Sequence, residues 1–395
     1  METGLDRLLA DDALRERLLT GRLGLLAHPA SVDRTMTHAA SALRAKGARF
    51  AIIFGPEHGY GGEAQDMIGV GDARDRDGTP IRSLYGETED ALVPAADDLG
   101  RIDTLVVDLQ DVGSRYYTFV WTAVLAHRAA ARAGVRVVVL DRPNPIGGLR
   151  SALEGRSQLP AFRSFVGLEP IAVRHSLTLG EITAWRAAKE GLAGLTVVGT
   201  DAPRDIDARR WDRAMPLPSP NMPTFETALV YPGGCLLEGT NLSDGRGTTR
   251  PFEITGAPFV DGEALARDLA ETKLPGFVAR PLTFLPTFHK HAGKACGGVQ
   301  IHVTHPETFR PVATYAALVA AAHRRSPDAF RFRTERYEFI DHIPAFDLLT
   351  GDAEARTRIL AGAAPRDVAD LVSTLRAGDA ELWDEALELS MPVRV

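Results

Sequence analysis

Glu57 stands in the turn Gly55-Pro56-Glu57-His58-Gly59, directly behind the apolar run Arg49-Phe50-Ala51-Ile52-Ile53-Phe54. Glycine permits a tight backbone and proline fixes φ, so the carboxylate is held in one direction at a strand tip. A carboxyl group held there, half-shielded from water, is placed to serve as a general acid. The plainer alternative is a turn residue that caps the next segment. His58 beside it orients Glu57, binds a ligand, or is an ordinary hydrogen-bonded loop histidine.

A second constellation is Asp108, Asp111, Arg115, Tyr116 and Tyr117. Asp108 falls at another strand tip, and Arg115 to Thr118 open a helix whose N-terminal amides favour anions. Arg115 either meets such an anion or pairs with Asp111. Tyr116 and Tyr117 suit core packing, or a platform for the face of a sugar. Asp141-Arg142-Pro143-Asn144-Pro145 presents Asp141 and Asn144 on a loop stiffened by two prolines. Arg174 and His175 precede Thr178 and Glu181, whose spacing is that of a capping box and therefore structural.

Two further segments, Pro218-Ser219-Pro220-Asn221-Met222-Pro223-Thr224 and Leu237-Glu238-Gly239-Thr240-Asn241 through Gly245-Arg246-Gly247-Thr248-Thr249, are dense in hydroxyl, amide and glycine groups. Such segments can surround a polyhydroxylated ligand, because each desolvated hydroxyl needs a donor and an acceptor. Arg246 between glycines suits a carboxylate or phosphate through its bidentate fork. The alternative is a long solvated loop. His289, Lys290, His291 and Lys294 form a basic cluster with no acidic partner at metal-ligand spacing nearby.

The elements that must carry these groups are legible. Residues 22–27, 49–54, 102–107 and 135–140 are nearly continuous apolar runs, as parallel strands buried on both faces require. Residues 36–46 and 117–133 between them read as alanine-rich helices, so βαβ units build a parallel sheet covered by helices. Each run is followed by a polar segment, and the carboxyl ends of strands are where open α/β sheets place their ligand crevice. A further strand is expected at 195–199 after a helix at 179–191. Proline-rich chemistry at 205–230 marks the passage to a second α+β lobe, with helices near 261–271, 312–323, 353–361 and 365–376 and strands near 277–284 and 297–304. The division drawn is 1–215 for the sheet domain and 216–395 for the lobe that contributes cleft loops.

Bulk properties exclude several classes. A chain of 395 residues exceeds what one core usually serves, and 45% hydrophobic with 25% charged residues is ordinary globular composition. A net charge of −7 disfavours nucleic acid and anionic membranes as partners. Two cysteines, Cys235 and Cys296, make no disulfide framework and read as buried thiols. Glycine-rich dinucleotide, P-loop and Gly-x-Ser-x-Gly patterns are absent, so no cofactor is expected. The opening Met1-Glu2-Thr3-Gly4-Leu5-Asp6 lacks the basic and apolar regions of a signal peptide, so the sequence reads as cytoplasmic. No apolar run approaches the ~20 residues of a membrane span.

The ordered motifs Gly55-Pro56-Glu57-His58-Gly59, Ser83-Leu84-Tyr85-Gly86, Asp108 through Thr118, Asp141 through Pro145, Pro218 through Thr224, and Glu238 through Thr249 together resemble the exo-β-N-acetylmuramidases of the NamZ type, from about residue 20 to the end. The resemblance implies a Rossmann-like parallel-sheet domain, a smaller α+β domain, and an interdomain cleft. It implies release of N-acetylmuramic acid from the non-reducing ends of peptidoglycan fragments, so the expected partner is a peptidoglycan-derived disaccharide or muropeptide. Many relatives look exported, and a chain without a leader fits recycling of imported muropeptides or a trimmed leader.

Glu57 matches the family glutamate and is expected to protonate the leaving glycosidic oxygen. Asp108 or Asp111 would act as base, nucleophile or orienter, unless the substrate's own 2-acetamido group attacks. His58, Arg115, Tyr117, Asn144, Asn221, Glu238, Asn241 and Arg246 are the expected substrate contacts, with Arg246 or Arg115 on the lactyl carboxylate. The rival functions are a non-catalytic sugar-binding protein in the same cleft, and a metal-dependent hydrolase built on His28, His58 and Asp108.

Overall fold

A computed structural model describes the chain from residue 1 to 395 except residues 63, 66, 67, 70 and 72. Its larger sheet contains β1 (Leu23–Ala27), β2 (Phe50–Gly55), β3 (Ala73–Arg74), β4 (Pro80–Ser83), β5 (Thr104–Asp108), β6 (Arg136–Leu140) and β7 (Leu195–Val198). The spatial order is β3-β4-β2-β1-β5-β6-β7, parallel throughout except for the edge pair β3–β4. From β1 the chain first winds outward through β2 and β4, then returns to lay β5, β6 and β7 on the other side. The reversal lies between β1 and β5, where Ala27 pairs with Asp108. That is the topological switch point at which doubly wound sheets open a crevice.

Side chains alternate across these strands and both faces are covered. Leu25, Val106, Val138 and Leu140 pack with Leu5 and Leu8 of the helix Gly4–Ala10 on one face. Leu26, Leu105, Val107, Val137 and Val139 join a larger core with Trp121 and Trp185 on the other. The helices Phe119–Arg132 and Leu179–Lys189 supply those tryptophans. Thr178 and Glu181 form the expected capping box, each side chain accepting from the other's backbone N–H, at 3.2 and 2.9 Å.

The smaller sheet is antiparallel, β8 (Ile254–Ala257), β10 (Cys296–Val303) and β9 (Phe277–Phe284), with β10 in the centre. The helix Pro311–Arg325 lies behind it, and its Tyr315 belongs to the same core as Trp121. The proline-rich passage at 205–230 leads into the helix Phe225–Gly234, capped by Thr224 Oγ1 accepting from Thr227 N at 3.2 Å. Pro232 and Gly233 disguise it in sequence. A Cβ on Gly233 would stand 2.0 Å from the Pro311 carbonyl, so glycine lets the two helices touch. Likewise the segment 237–247 is mostly buried rather than a solvated loop. Among the described residues no helix is long and apolar enough to cross a membrane.

Candidate active site

The carboxyl end of β2 delivers Glu57 into a pocket, and the buried carboxylate accepts from Thr118 Oγ1 at 2.7 Å. Thr118 immediately precedes the helix Phe119–Arg132, so the turn after β2 and the start of the helix that follows β5 meet on one residue pair. His58 has φ 70° and its Nδ1 lies 2.9 Å from the Ala64 carbonyl. The left-handed turn folds the imidazole back toward its own loop while leaving it on the pocket wall.

Aromatic rings form one wall: Tyr117 lies 4.7 Å from Phe119 and 6.0 Å, edge-on, from Tyr231. Burial pushes the Tyr117 hydroxyl well above its ordinary value, and the charges of Asp111 and Glu57 add to it. Tyr117 is therefore a neutral phenol. Asn221 reaches the wall from the proline-rich segment, its Nδ2 donating to Gln65 Oε1 at 2.7 Å.

The opposite wall belongs to the second half of the chain. Arg246 Nη2 donates to Glu238 Oε1 at 2.7 Å and Nη1 to Asp244 Oδ2 at 3.0 Å, while the guanidinium stacks over Phe252 at 4.9 Å. Burial works against the charge of Asp244, but Arg246, Lys290 and His289 hold it well below the usual carboxylate range. The basic cluster of the sequence thus buttresses this loop: Lys290 Nζ donates to the Leu237 carbonyl at 2.8 Å, and His291 Nε2 sits 2.7 Å from that of Asn241. Tyr337 Oη donates to Glu238 Oε2 at 2.7 Å, and Glu338 completes the wall. The pocket leaves about 40 Å³ for the centres of water-sized molecules and is partly open to solvent.

The structure therefore brings Glu57, His58, Tyr117, Asn221, Glu238 and Arg246 together. It does not bring Asp108, Asp111, Arg115, Asn144 or Asn241 to that pocket. Asp108 is fully buried, its two oxygens taken by Arg142 Nε at 2.5 Å and Nη2 at 2.8 Å. Asp111 accepts from Gly113 N at 2.7 Å and lies 3.3 Å from His175 Nε2. Arg115 takes neither role weighed for it, since its guanidinium donates to the carbonyls of Arg156, Ile171 and Leu349 at 2.9, 3.1 and 2.7 Å. Asn144 and Asn241 spend their amides on backbone, donating to Leu177 O at 3.0 Å and Ala329 O at 2.9 Å.

The metal reading meets the same obstacle. His28 Nε2 accepts from Gln110 N at 2.9 Å and Nδ1 faces the Pro218 carbonyl at 3.2 Å, which fixes a neutral ring with the proton on Nδ1. Burial, with Arg142 adding to it, pushes its pKa down to about 3. Among the described residues no group of three His, Cys, Asp or Glu could hold a metal ion.

Thr118, Tyr231, Tyr337 and Glu338 were not singled out from sequence as site residues. For Tyr337 and Glu338 the available signal was a carboxylate between two aromatics, Tyr337-Glu338-Phe339, in a stretch with no other reason to be apolar.

A doubly wound sheet whose strand ends share a carboxylate-lined pocket with a second α+β unit is an arrangement suited to the hydrolysis of glycosides. Residues 23–226 match the family described as exo-β-N-acetylmuramidase NamZ, N-terminal, and residues 229–377 match its C-terminal counterpart. The chain belongs to the NamZ family. It is 38% identical over 380 residues to the peptidoglycan β-N-acetylmuramidase NamZ of Bacillus subtilis (strain 168), covering 93% of this chain and 86% of that one. Two crystal structures of DUF1343 family proteins from Bacteroides fragilis NCTC 9343 share the fold. One superimposes with a TM-score of 0.83 at 29% identity, covering 99% of this chain and 98% of its own. The other gives 0.71 at 23% identity, covering 98% of each.

Proposed function

We propose that the protein is an exo-acting glycosidase that releases N-acetylmuramic acid from the non-reducing end of peptidoglycan-derived disaccharides or muropeptides, in the turnover of cell-wall fragments. Family membership supports the reaction class, and one observation carries the catalytic assignment. Glu57 is buried at the tip of β2, is fixed by Thr118 Oγ1, and faces a pocket with an aromatic wall. A carboxylic acid so placed gives its proton to the glycosidic oxygen as the C1–O bond breaks. The rings of Tyr117 and Tyr231 offer apolar surface to a sugar face, and Asn221 and Glu238 offer polar atoms to its hydroxyls.

Arg246 is the cation assigned to the lactyl carboxylate that distinguishes muramic acid from glucosamine. Its guanidinium is already ordered by Glu238 and Asp244, so little conformational entropy is lost when a third carboxylate arrives. Asp108 and Asp111 act behind the pocket, holding strand ends in place.

The test is Glu57→Gln on the disaccharide of N-acetylmuramic acid and N-acetylglucosamine, with products identified by mass. Glutamine keeps an acceptor for Thr118, so fold and sugar binding persist while kcat falls by ~10²–10⁴. A kcat near that of the parent would overturn the assignment. Recovery of only intact disaccharide from the parent protein would make it a binding protein instead.

A further inference from the structure

The residues 337–340 form a tight turn that carries an acidic side chain into the pocket. Tyr337 N donates to Ile340 O at 2.8 Å and Ile340 N to Tyr337 O at 3.0 Å. The two residues between them, Glu338 and Phe339, have φ 44° and 71°. Two consecutive left-handed residues are the pattern of a type I′ hairpin turn, whose preferred occupants are Asn-Gly. Glutamate and phenylalanine are unfavourable at both places, and backbone strain of this kind persists where the side chains are needed.

Each side chain of the turn has a defined seat. Tyr337 Oη holds Glu238. Phe339 packs against Tyr85 and Phe165, with ring centroids 5.8 and 6.2 Å away. Glu338 is buried, lines the pocket with Glu57, and accepts from Tyr85 Oη at 3.2 Å. Tyr85 follows β4, which pairs with β2, so the strand that delivers Glu57 and the residue that holds Glu338 share one frame.

Among the described residues the pocket is lined by three carboxylates, Glu57, Glu238 and Glu338. Glu238 has Oε1 on Arg246 and Oε2 on Tyr337, which makes it an orienter. Asp108 and Asp111 lie outside the pocket. We propose that Glu338 is the second catalytic carboxylate, the general base that activates water. The inference rests on the reading of Glu57 as the acid.

As the glycosidic C1–O bond breaks, its electron pair stays on the leaving oxygen, which takes the proton of Glu57. The oxygen of water forms the new bond to C1, and the proton it releases goes to the Glu338 carboxylate. One water is consumed, and exchange with solvent returns both carboxyl groups to their starting states. Direct attack by water inverts C1, so the β-glycoside yields α-N-acetylmuramic acid first.

The experiment compares Glu338→Ala and Glu338→Gln with Glu57→Gln on two substrates, the native disaccharide and an aryl N-acetylmuramide with an activated phenol. Binding of N-acetylmuramic acid and thermal unfolding are recorded for each variant. Loss of a base slows both substrates by ~100-fold or more with little change in KM, whereas loss of the acid slows the disaccharide far more than the aryl glycoside. Azide should restore turnover of Glu338→Ala on the aryl glycoside and give the α-glycosyl azide. Glu338→Gln, isosteric and still able to accept from Tyr85, serves if the alanine variant does not fold. Activity of Glu338→Gln within threefold of the parent overturns the proposal, and so does β-N-acetylmuramic acid as the parent's first product. Normal rates for Glu57→Gln, with azide rescue intact at position 338, would remove the acid while leaving the base.

Discussion

Replacing Asp108 with asparagine separates a carboxylate that holds the fold from one that does chemistry. Asp108 is fully buried and Arg142 nearly so, and the two share hydrogen bonds of 2.5 and 2.8 Å. In Asp108→Asn one oxygen can still accept, but the new amide points N–H groups at a guanidinium that is itself only a donor. Arg142 then keeps the Val32 carbonyl, at 2.9 Å, and a buried charge without a counterion. Breaking a buried pair by removing one partner costs ~3–5 kcal/mol. With an unfolding entropy of ~2.1 cal/mol/K per residue, a chain of 395 residues that unfolds as one unit loses roughly 4–6 °C in Tm. Differential scanning calorimetry reads that shift, and initial rates well below the transition should keep kcat within a few-fold. Replacing both partners by apolar residues of similar size should recover much of the loss. An unchanged Tm together with a hundredfold fall in kcat would refute this account and return Asp108 to the reaction.

Arg246→Lys keeps the charge but loses the fork that spans Glu238 and Asp244. Its kcat/KM on an N-acetylmuramide should fall by ~10–100-fold, the range of 1.5–3 kcal/mol for a charged hydrogen bond, and much less on the matching N-acetylglucosaminide; equal losses on the two would remove the lactyl assignment. Burial pushes Glu154 up to about 7, against the opposing pull of the Ala313 N–H, Arg174 and Arg310. Between the ordinary 4.5 and 7 the native state keeps a proton that the unfolded chain has released, so stability declines as pH rises through that window, by roughly 3 kcal/mol in full. Glu154→Gln lacks that slope, so its Tm relative to the parent should climb from pH 4.5 to 7; parallel curves would contradict the assignment.

The parallel sheet was legible because its strands are buried on both faces and therefore apolar without interruption. All the strands expected at 22–27, 49–54, 102–107, 135–140 and 195–199 form within two residues of those limits. The site was legible only in part, and the reason lies in long-range partners. Asp108 and Glu57 are the same chemistry at the same place, the end of a strand. What separates them is Arg142, 34 residues further on, against Thr118 and an open pocket. Arg115 resembles an anion ligand until Leu349, 234 residues away, supplies the carbonyl it clamps. Glu338 had only its two flanking aromatics as a local sign, since its turn lacks the glycine and asparagine by which such turns are recognised.

A narrow pocket shared between two parts of the chain has a consequence for time. One wall belongs to strand ends of the large sheet and the other to segments 238–252 and 337–338, so a parting of the two walls would widen the way in for a pyranose. The same parting would ease the freed sugar out. Motions of this size run on microseconds to milliseconds, and in many enzymes release rather than bond cleavage limits the rate. Turnover here should then slow with solvent viscosity, while the same closure that delays each sugar keeps bulk water away from the reacting carbon.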